Sequence, residues 1–447
     1  MSPYHVCLGL ADAMLAGPHT PRSVQARCAK ALGKKSAWLA ALAKAMIVQR
    51  SHAWHSASRE TLASAIWAWP GFLEAWAAEG PLVLRYYFLD SPRMAPLPAG
   101  LEHCALPNLP TVGDIAEWLR LEIRDLEWLA DVRGFEARAR DQRLRHYVYR
   151  WVPKRSGGHR LLEVPKSALR SIQRRILHEL LEYVPAHEAA HGFRARRSCV
   201  TNAEPHVGQQ IVMRLDLQDF FVSIQGGRVT AMFRTLGYPE QAARVLAGLC
   251  TNRVPADVVE VRDLGKYDFE LPQLDWLTRK RYRSPHLPQG APSSPALANL
   301  CAFRLDLRLQ ALAESGAAQY TRYADDLTFS GGKELARGAE RFLNRVGAVA
   351  LEEGFSVNFR KTRVMRRGVR QQVTGIVVNE KPNVRREEYD RLKATLHNCA
   401  RLGPTGQNRE KRTDFRAHLA GRIAHLSMLN PDRGRRLKVL FERIEWQ

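Results

Sequence analysis

The stretch QYTRYADDLTFSG, residues 319–331, reads as two short β-strands joined at a turn, with Asp325 and Asp326 side by side at its tip. A third acid compounds the repulsion. QQIVMRLDLQDFF opens with an apolar run, Ile211 to Met213, that suits a buried strand, and it delivers Asp216 at the strand's end. Strand ends brought together in one sheet would crowd three carboxylates, an expensive cluster unless a cation neutralises it, and hard divalent ions take oxygen ligands of this kind. The pattern therefore predicts an α+β chain whose strands hold Mg²⁺ through Asp216, Asp325 and Asp326. A pair of Mg²⁺ ions roughly 3.5–4 Å apart activates an attacking hydroxyl and stabilises the leaving oxygen of an in-line phosphoryl displacement. Taken singly, YADD is also compatible with a surface turn and Asp216 with a helix cap.

Charge points to the substrate. Lys plus Arg number 68 against 45 Asp plus Glu, a formal net charge of +23 spread along the chain, which favours a polyanionic partner, nucleic acid first. With a carboxylate metal site in a basic chain, the reaction that fits is nucleotidyl transfer. An anionic membrane is the competitor, but there is no unbroken apolar run of membrane-spanning length. The most apolar stretch, LASAIWAWPGFLEAWAAEGPLVL, is interrupted by Pro70, Glu74, Glu79 and Pro81, and reads as helices packing Trp67, Trp69 and Trp76. Seven scattered cysteines without a C-x-x-C pair indicate neither a zinc site nor a disulfide framework, and a reducing cytoplasm suits them.

The 447 residues, 45% hydrophobic, suffice for more than one domain. Residues 1–90 are rich in Ala and Trp with helical patterning, and 91–110 hold five prolines, the mark of a linker. Beyond it, Ile115, Leu119, Ile123 and Leu126 keep helical spacing behind a candidate cap at Asp114. YVYRWVPKRSGGHRLLEVP reads as a hairpin turning at Ser156-Gly157-Gly158, with Lys154, Arg155, His159 and Arg160 clustered at the turn. The next helix buries Leu169, Ile172, Ile176 and Leu180 and leaves Arg170, Arg174 and Arg175 elsewhere. LPQGAPSSPALANLCAFRLDLRL is a Gly290-containing loop entering a helix capped at Ser294, with Leu297, Cys301, Leu305 and Leu309 on its buried face. Such a loop brings backbone N–H groups near a nucleotide, and Gln289 offers an amide for sugar or base.

In order, the hairpin KRSGGHRLLEVP, LDLQDFF, LPQGAPSSP and YADD resemble the fingers and palm motifs of reverse transcriptases. TNAEPH at 201–206 resembles the N-A-x-x-H element of retron reverse transcriptases, and QQVTGIVVNEKPNV at 371–384 their V-T-G element. The resemblance covers roughly residues 105–447 and implies a right-hand polymerase: fingers and palm over 111–370, the V-T-G region and a helical thumb over 371–447. It implies Asp216, Asp325 and Asp326 as ligands of two Mg²⁺ ions, joined by the Leu217 carbonyl. Arg160 and, more weakly, Lys154 would meet the triphosphate of a dNTP, Phe221 would exclude a ribose 2′-hydroxyl, Gln289 would line the nucleotide pocket, and Lys361 would protonate the departing pyrophosphate. Asn202, His206, Val373, Thr374 and Gly375 become candidates for RNA binding. The segment 386–447, with 14 basic against 8 acidic residues, would help bind a structured stem-loop of a cognate noncoding RNA.

The implied activity is reverse transcription of that RNA from a guanosine 2′-hydroxyl in bacterial cytoplasm, giving branched RNA-linked single-stranded DNA, in anti-phage defence beside a separate effector protein and without a membrane. Two alternatives compete: a defence-associated reverse transcriptase with protein-primed or untemplated synthesis, and a non-catalytic RNA-binding scaffold. The sequence also departs from the family pattern: residues 1–90 have no counterpart in it, Val222 replaces a usual proline, and 251–285 is long enough for an added hairpin.

Overall fold

In the computed structural model, which describes residues 2–16, 20–49, 59–88, 93–154, 159–259 and 274–446, the chain divides into two units, Met1–Arg93 and Met94–Gln447. The first unit is mainly helical where described, with 81–88 irregular. Ser2 and Thr20 cap the helices Pro3–Leu15 and Pro21–Leu32 with side-chain oxygens, each followed by a proline that needs no intrahelical partner. Leu10, Met14, Leu42, Met46, Ile66 and Phe72 from these helices and from Trp38–Gln49, Arg59–Ala68 and Pro70–Glu79 form its core. Trp69 and Trp76 pack against that core as expected, but Trp67 is 40% exposed and meets Tyr4 and Phe72 only through ring contacts, because Leu62 and Ile66 take the inward positions.

In the second unit the proline-rich stretch is packed chain from residue 94 onward rather than open linker. The Ala95 N–H donates to the Gly237 carbonyl at 2.8 Å, and Tyr238 Oη donates to the Pro107 carbonyl at 3.0 Å. Gly237 has φ +88°, and a Cβ there would sit 2.3 Å from the Ala95 carbonyl oxygen, so only glycine fits. The helix expected behind Asp114 differs in two ways. Thr111 is the cap, with Asp114 bonding back to it as the third helical residue, and the run breaks at Arg120 (φ 58°) into Val112–Leu119 and Ile123–Ala130, leaving Ile123 half-exposed.

Strands β1 (Tyr147–Pro153) and β2 (His159–Pro165) form the antiparallel hairpin, while Arg155 and the Ser156-Gly157-Gly158 turn lie outside the described residues. The helix Ser167–Glu179 buries Leu169, Ile172 and Ile176 as its spacing predicts. Arg170 bonds the Pro165 carbonyl and Arg175 pairs with Glu179, so of the three arginines Arg174 is the exposed one. Within 251–285 the described residues form the helices Ala256–Val259 and Trp276–Arg283, and residues 260–273, where an added hairpin would have room, lie outside the described residues.

The central sheet joins β3 (Ile211–Asp216), β4 (Ala318–Tyr323), β5 (Asp326–Gly331) and β6 (Arg363–Arg366) in the order β4-β5-β3-β6, every pair antiparallel. Alternation sorts its faces: Ile211, Met213, Leu215, Leu327 and Phe329 enter the main core with Leu297, Leu305, Leu309, Phe342 and Val346 of the flanking helices. The other face carries Val212, Arg214 and Asp216. The LPQG helix begins at Ser294 with Ser293, not Ser294, at the cap, and it breaks at Ala302 into Ser294–Cys301 and Phe303–Ser315.

Beyond the sheet, β7 (Gln372–Val373) and β8 (Ile376–Val377) make a small hairpin before the helices Arg386–Leu402, Phe415–Leu429 and Pro431–Glu442. Val373, Ile376, Leu392, Leu396, Leu419, Ile423 and Leu437 share one core with Ala203 and with Val212 of β3. None of the described helices is long and apolar enough to cross a membrane.

Candidate active site

Sheet register brings the three acids together. Asp216 and Asp326 are direct cross-strand partners, and the Leu217 N–H donates to the Asp325 carbonyl at 2.8 Å, tying the strand end to the tip of the neighbouring turn. Leu217 itself is buried, and the bonds from the Gln218 N–H to the Ser356 carbonyl and from the Asn358 N–H to the Asp216 carbonyl flank it.

The turn is held in an unusual backbone shape. Ala324 has φ 57°, and the fully buried Arg322 fixes it by donating from Nη1 to the Ala324 carbonyl at 3.1 Å. Arg322 also grips Asp306 through Nε at 2.7 Å and Nη2 at 2.6 Å, and Tyr320 Oη donates to the same carboxylate at 2.8 Å. A strap, residues 189–192, closes the other side: the His191 N–H donates to the Arg322 carbonyl and the Arg322 N–H to that of Ala189. Gly192 lies so close that a Cβ would stand 2.5 Å from the Ala324 nitrogen.

Electrostatics mark the site as short of positive charge. Burial, then the neighbouring Asp326 and Asp216, push the Asp325 carboxyl up to about 6. Two side chains of the protein answer part of that deficit: Arg214 Nη2 lies 3.1 Å from Asp326, and Lys361 Nζ lies 3.0 and 3.1 Å from the two oxygens of Asp216. With two acids turned to these partners, no three ligand side chains among the described residues close on one point. The donor set nonetheless fits a hard divalent cation, being all carboxylate oxygen, crowded, and with Asp325 left without a cationic hydrogen-bond partner among the described residues. Sequence reasoning missed Arg214 and Arg322. Arg214 was within reach of it, since two residues before Asp216 on a strand means the same face.

The remaining candidates fall into three places. Phe221, half-buried, follows the strand end and packs against Phe193 and Phe220, ring centroids 6.0 and 5.7 Å away. Lys154, half-buried, and Arg160, exposed, stand at the end of the β1–β2 hairpin where Pro153 pairs with His159, and among the described residues neither bonds to the three aspartates. The Gln289 carbonyl accepts the Glu163 N–H of β2 at 2.9 Å, which ties the LPQG loop to that hairpin.

The N-A-x-x-H and V-T-G residues form a joint. Thr374 Oγ1 donates to the Cys199 carbonyl at 3.0 Å, and the Gly208 N–H donates to that of Val378 at 2.9 Å. Gly375 is exposed and Thr374 half-buried, but Asn202, His206 and Val373 are wholly buried, so as placed these three contact protein and not RNA. His206 bridges both strands of the aspartate hairpin: Thr321 Oγ1 donates to the Asn202 carbonyl and so accepts from Nε2 at 2.8 Å, which leaves Nδ1 to accept from Ser330 Oγ at 2.6 Å. This assigns the neutral ring.

Burial and nearby His191 press His206 down to about 3, while burial, Arg197 and Arg194 press His191 to about 4. Both values lie below the ordinary histidine range, so the unfolded chain takes up protons first. The stability these rings confer is complete above about pH 6.5 and is lost as pH falls, roughly 2 kcal/mol per ring by pH 5. Denaturant midpoints measured from pH 7.5 to 4.5 should therefore fall, and fall less in a His206→Gln variant; parallel curves for the two proteins would remove His206 from the account.

Residues 152–391 match the family described as reverse transcriptase (RNA-dependent DNA polymerase). The chain is 42% identical over 351 residues to the retron Mx65 reverse transcriptase of Myxococcus xanthus, covering 77% of this chain and 74% of that protein. It is 37% identical over 344 residues to the retron Mx162 reverse transcriptase of the same organism, covering 74% and 66%, and 29% identical over 300 residues to the retron Ec86 reverse transcriptase of Escherichia coli, covering 66% and 80%.

Proposed function

Since the chain belongs to the reverse transcriptases of retrons, an RNA-directed DNA polymerase with the right-hand fold, we propose that it copies a cognate noncoding RNA from a guanosine 2′-hydroxyl of that RNA into branched, RNA-linked single-stranded DNA. The observation that carries the polymerase chemistry is the register that sets Asp216 opposite Asp326 with Asp325 crowded beside them. Reverse transcriptases use divalent metal ions. Here Asp216, Asp325, Asp326 and the Leu217 carbonyl would hold two Mg²⁺, which supply activation of the attacking hydroxyl and charge stabilisation at the phosphorus. Lys361 and Arg214, which pair with Asp216 and Asp326 here, would yield those carboxylates to the ions, and Lys361 would give a proton to the departing pyrophosphate.

Arg160 and Lys154 serve the triphosphate of the incoming dNTP, and Gln289 its base or sugar. Phe221, braced by Phe193 and Phe220, excludes the 2′-hydroxyl. A Phe221→Ala enzyme is then expected to incorporate ribonucleotides at least about tenfold more readily against dNTPs, as binding differences of one hydroxyl's space allow. Unchanged sugar selectivity would take Phe221 out of the gate.

The basic helices after residue 385, with the turn of half-buried Thr374 and exposed Gly375, bind the RNA stem-loop. The product acts in anti-phage defence, in the cytoplasm, with a separate effector protein. The test is expression with flanking DNA beside an Asp325→Asn, Asp326→Asn control, followed by extraction of DNA attached to RNA. A branched product dependent on the aspartates is the expected result. DNA with no RNA branch would replace this reading with protein-primed or untemplated synthesis.

A further inference from the structure

Glu163 and His286 are both fully buried, carry none of the roles assigned above, and face each other at 3.1 Å between Oε1 and Nε2. The other ring nitrogen, Nδ1, faces the Ser284 carbonyl at 2.8 Å. Both neighbours are acceptors, so the ring carries a proton on each nitrogen and the contact is an imidazolium–carboxylate pair. Burial alone would favour the neutral ring, but the Glu163 charge and the bonds to Glu163 and to backbone carbonyls raise its pKa above the ordinary value.

Four parts of the second unit meet at this pair. Glu163 belongs to β2, two strand positions past Leu161 on the buried face, whereas Arg160 lies on the exposed one. Asn252 donates from Nδ2 to Glu163 Oε2 at 2.7 Å, and Tyr149 of β1 stands 3.1 Å from the same amide. The backbones of Asn252 and His286 exchange both hydrogen bonds at 2.9 Å, and the Leu287 N–H reaches the Ile224 carbonyl, just past Phe221. Three residues past His286, the Gln289 carbonyl accepts the Glu163 N–H, and a Cβ at Gly290 would come within 3.0 Å of the Glu163 carbonyl. A buried ion pair contributes little net stability compared with apolar residues of similar volume, so its use here lies elsewhere.

We propose that the Glu163–His286 pair is a positioning device for the incoming nucleotide, fixing the hairpin that carries Arg160 and Lys154 to the loop that carries Gln289. These are positioning residues and do not touch the substrate. The inference rests on the nucleotide pocket proposed above.

The test is steady-state incorporation of dTTP by the full chain on a primed RNA template that the unaltered protein copies, with melting temperature recorded for each variant. Glu163→Gln keeps the bond from Asn252 but removes the charge. The double variant Glu163→Met, His286→Leu removes the pair without stranding a buried charge, so it is expected to melt no lower than the original. Both are expected to raise KM for dTTP about tenfold while kcat changes less than about threefold, the pattern of lost ground-state binding. A folded double variant with unchanged KM overturns the proposal, since the pair is then structural only. Arg160→Ala and Gln289→Ala separate the two levels of argument. If they raise KM and the double variant does not, the positioning role alone falls; if they leave KM unchanged, the pocket assignment fails and takes the proposal with it.

Discussion

Asparagine in place of Asp326 is expected to lower DNA synthesis at least about 10³-fold, because a site that must gather charge at the reacting phosphorus loses an anionic oxygen ligand. The same change should leave the fold intact or firmer. Asp326 adds to the crowding that pushes Asp325 up, and its ion pair with Arg214 is partly exposed on both sides. An amide keeps the shape and relieves the repulsion between like charges. The measurement is single-nucleotide extension on an RNA template over a range of Mg²⁺ concentrations, beside RNA affinity and melting temperature. Lost synthesis with intact RNA binding and undiminished melting temperature identifies a catalytic ligand. A lowered melting temperature that accounts for the lost synthesis would reduce Asp326 to a structural residue.

A loss of stability together with synthesis is expected instead at Asp306, which lies beneath the aspartate turn and bonds Arg322. Its carboxylate and the Arg322 guanidinium are both fully buried and joined by two bonds, 2.6 and 2.7 Å. Asp306→Asn leaves a guanidinium charge without its counter-ion, a loss of about 3–5 kcal/mol. It also slackens the side chain that holds the Ala324 carbonyl, so synthesis should fall along with stability. Denaturant unfolding of the purified variant checks the first effect, and activity well below the unfolding range checks the second. A loss under about 1 kcal/mol would mean that the Asn299 and Ala324 oxygens satisfy Arg322 unaided.

Much of this was legible in the sequence because it is local. Strand alternation and turn composition place Asp216 and the Asp325–Asp326 tip, and the spacing of Leu169, Ile172 and Ile176 gives a buried helix face. What escaped is what depends on distant partners. Arg322 reads as one more basic residue on a strand until Asp306, sixteen positions earlier, is folded onto it. His206 and Asn202 belong to a motif, yet their burial under Thr321 and Ser330 follows from a sheet assembled more than a hundred residues later. The break at Arg120 was missed for another reason: apolar spacing continues across it, while the left-handed backbone that ends the helix leaves no mark in a periodicity.

The shared core of Val212, Ala203, Val373 and Ile376 bears on how such an enzyme is re-engineered. A chimaera that imports only the chain beyond residue 370 from a relative would set a foreign hydrophobic surface against Val212, on the very strand that ends at Asp216. The exchangeable piece is therefore discontinuous: residues 199–208 must travel with the hairpin and helices they clamp, and Val212 must be matched to the newcomer. The C-terminal helices and the strand that ends at Asp216 share one seam, and a graft that ignores it disturbs both.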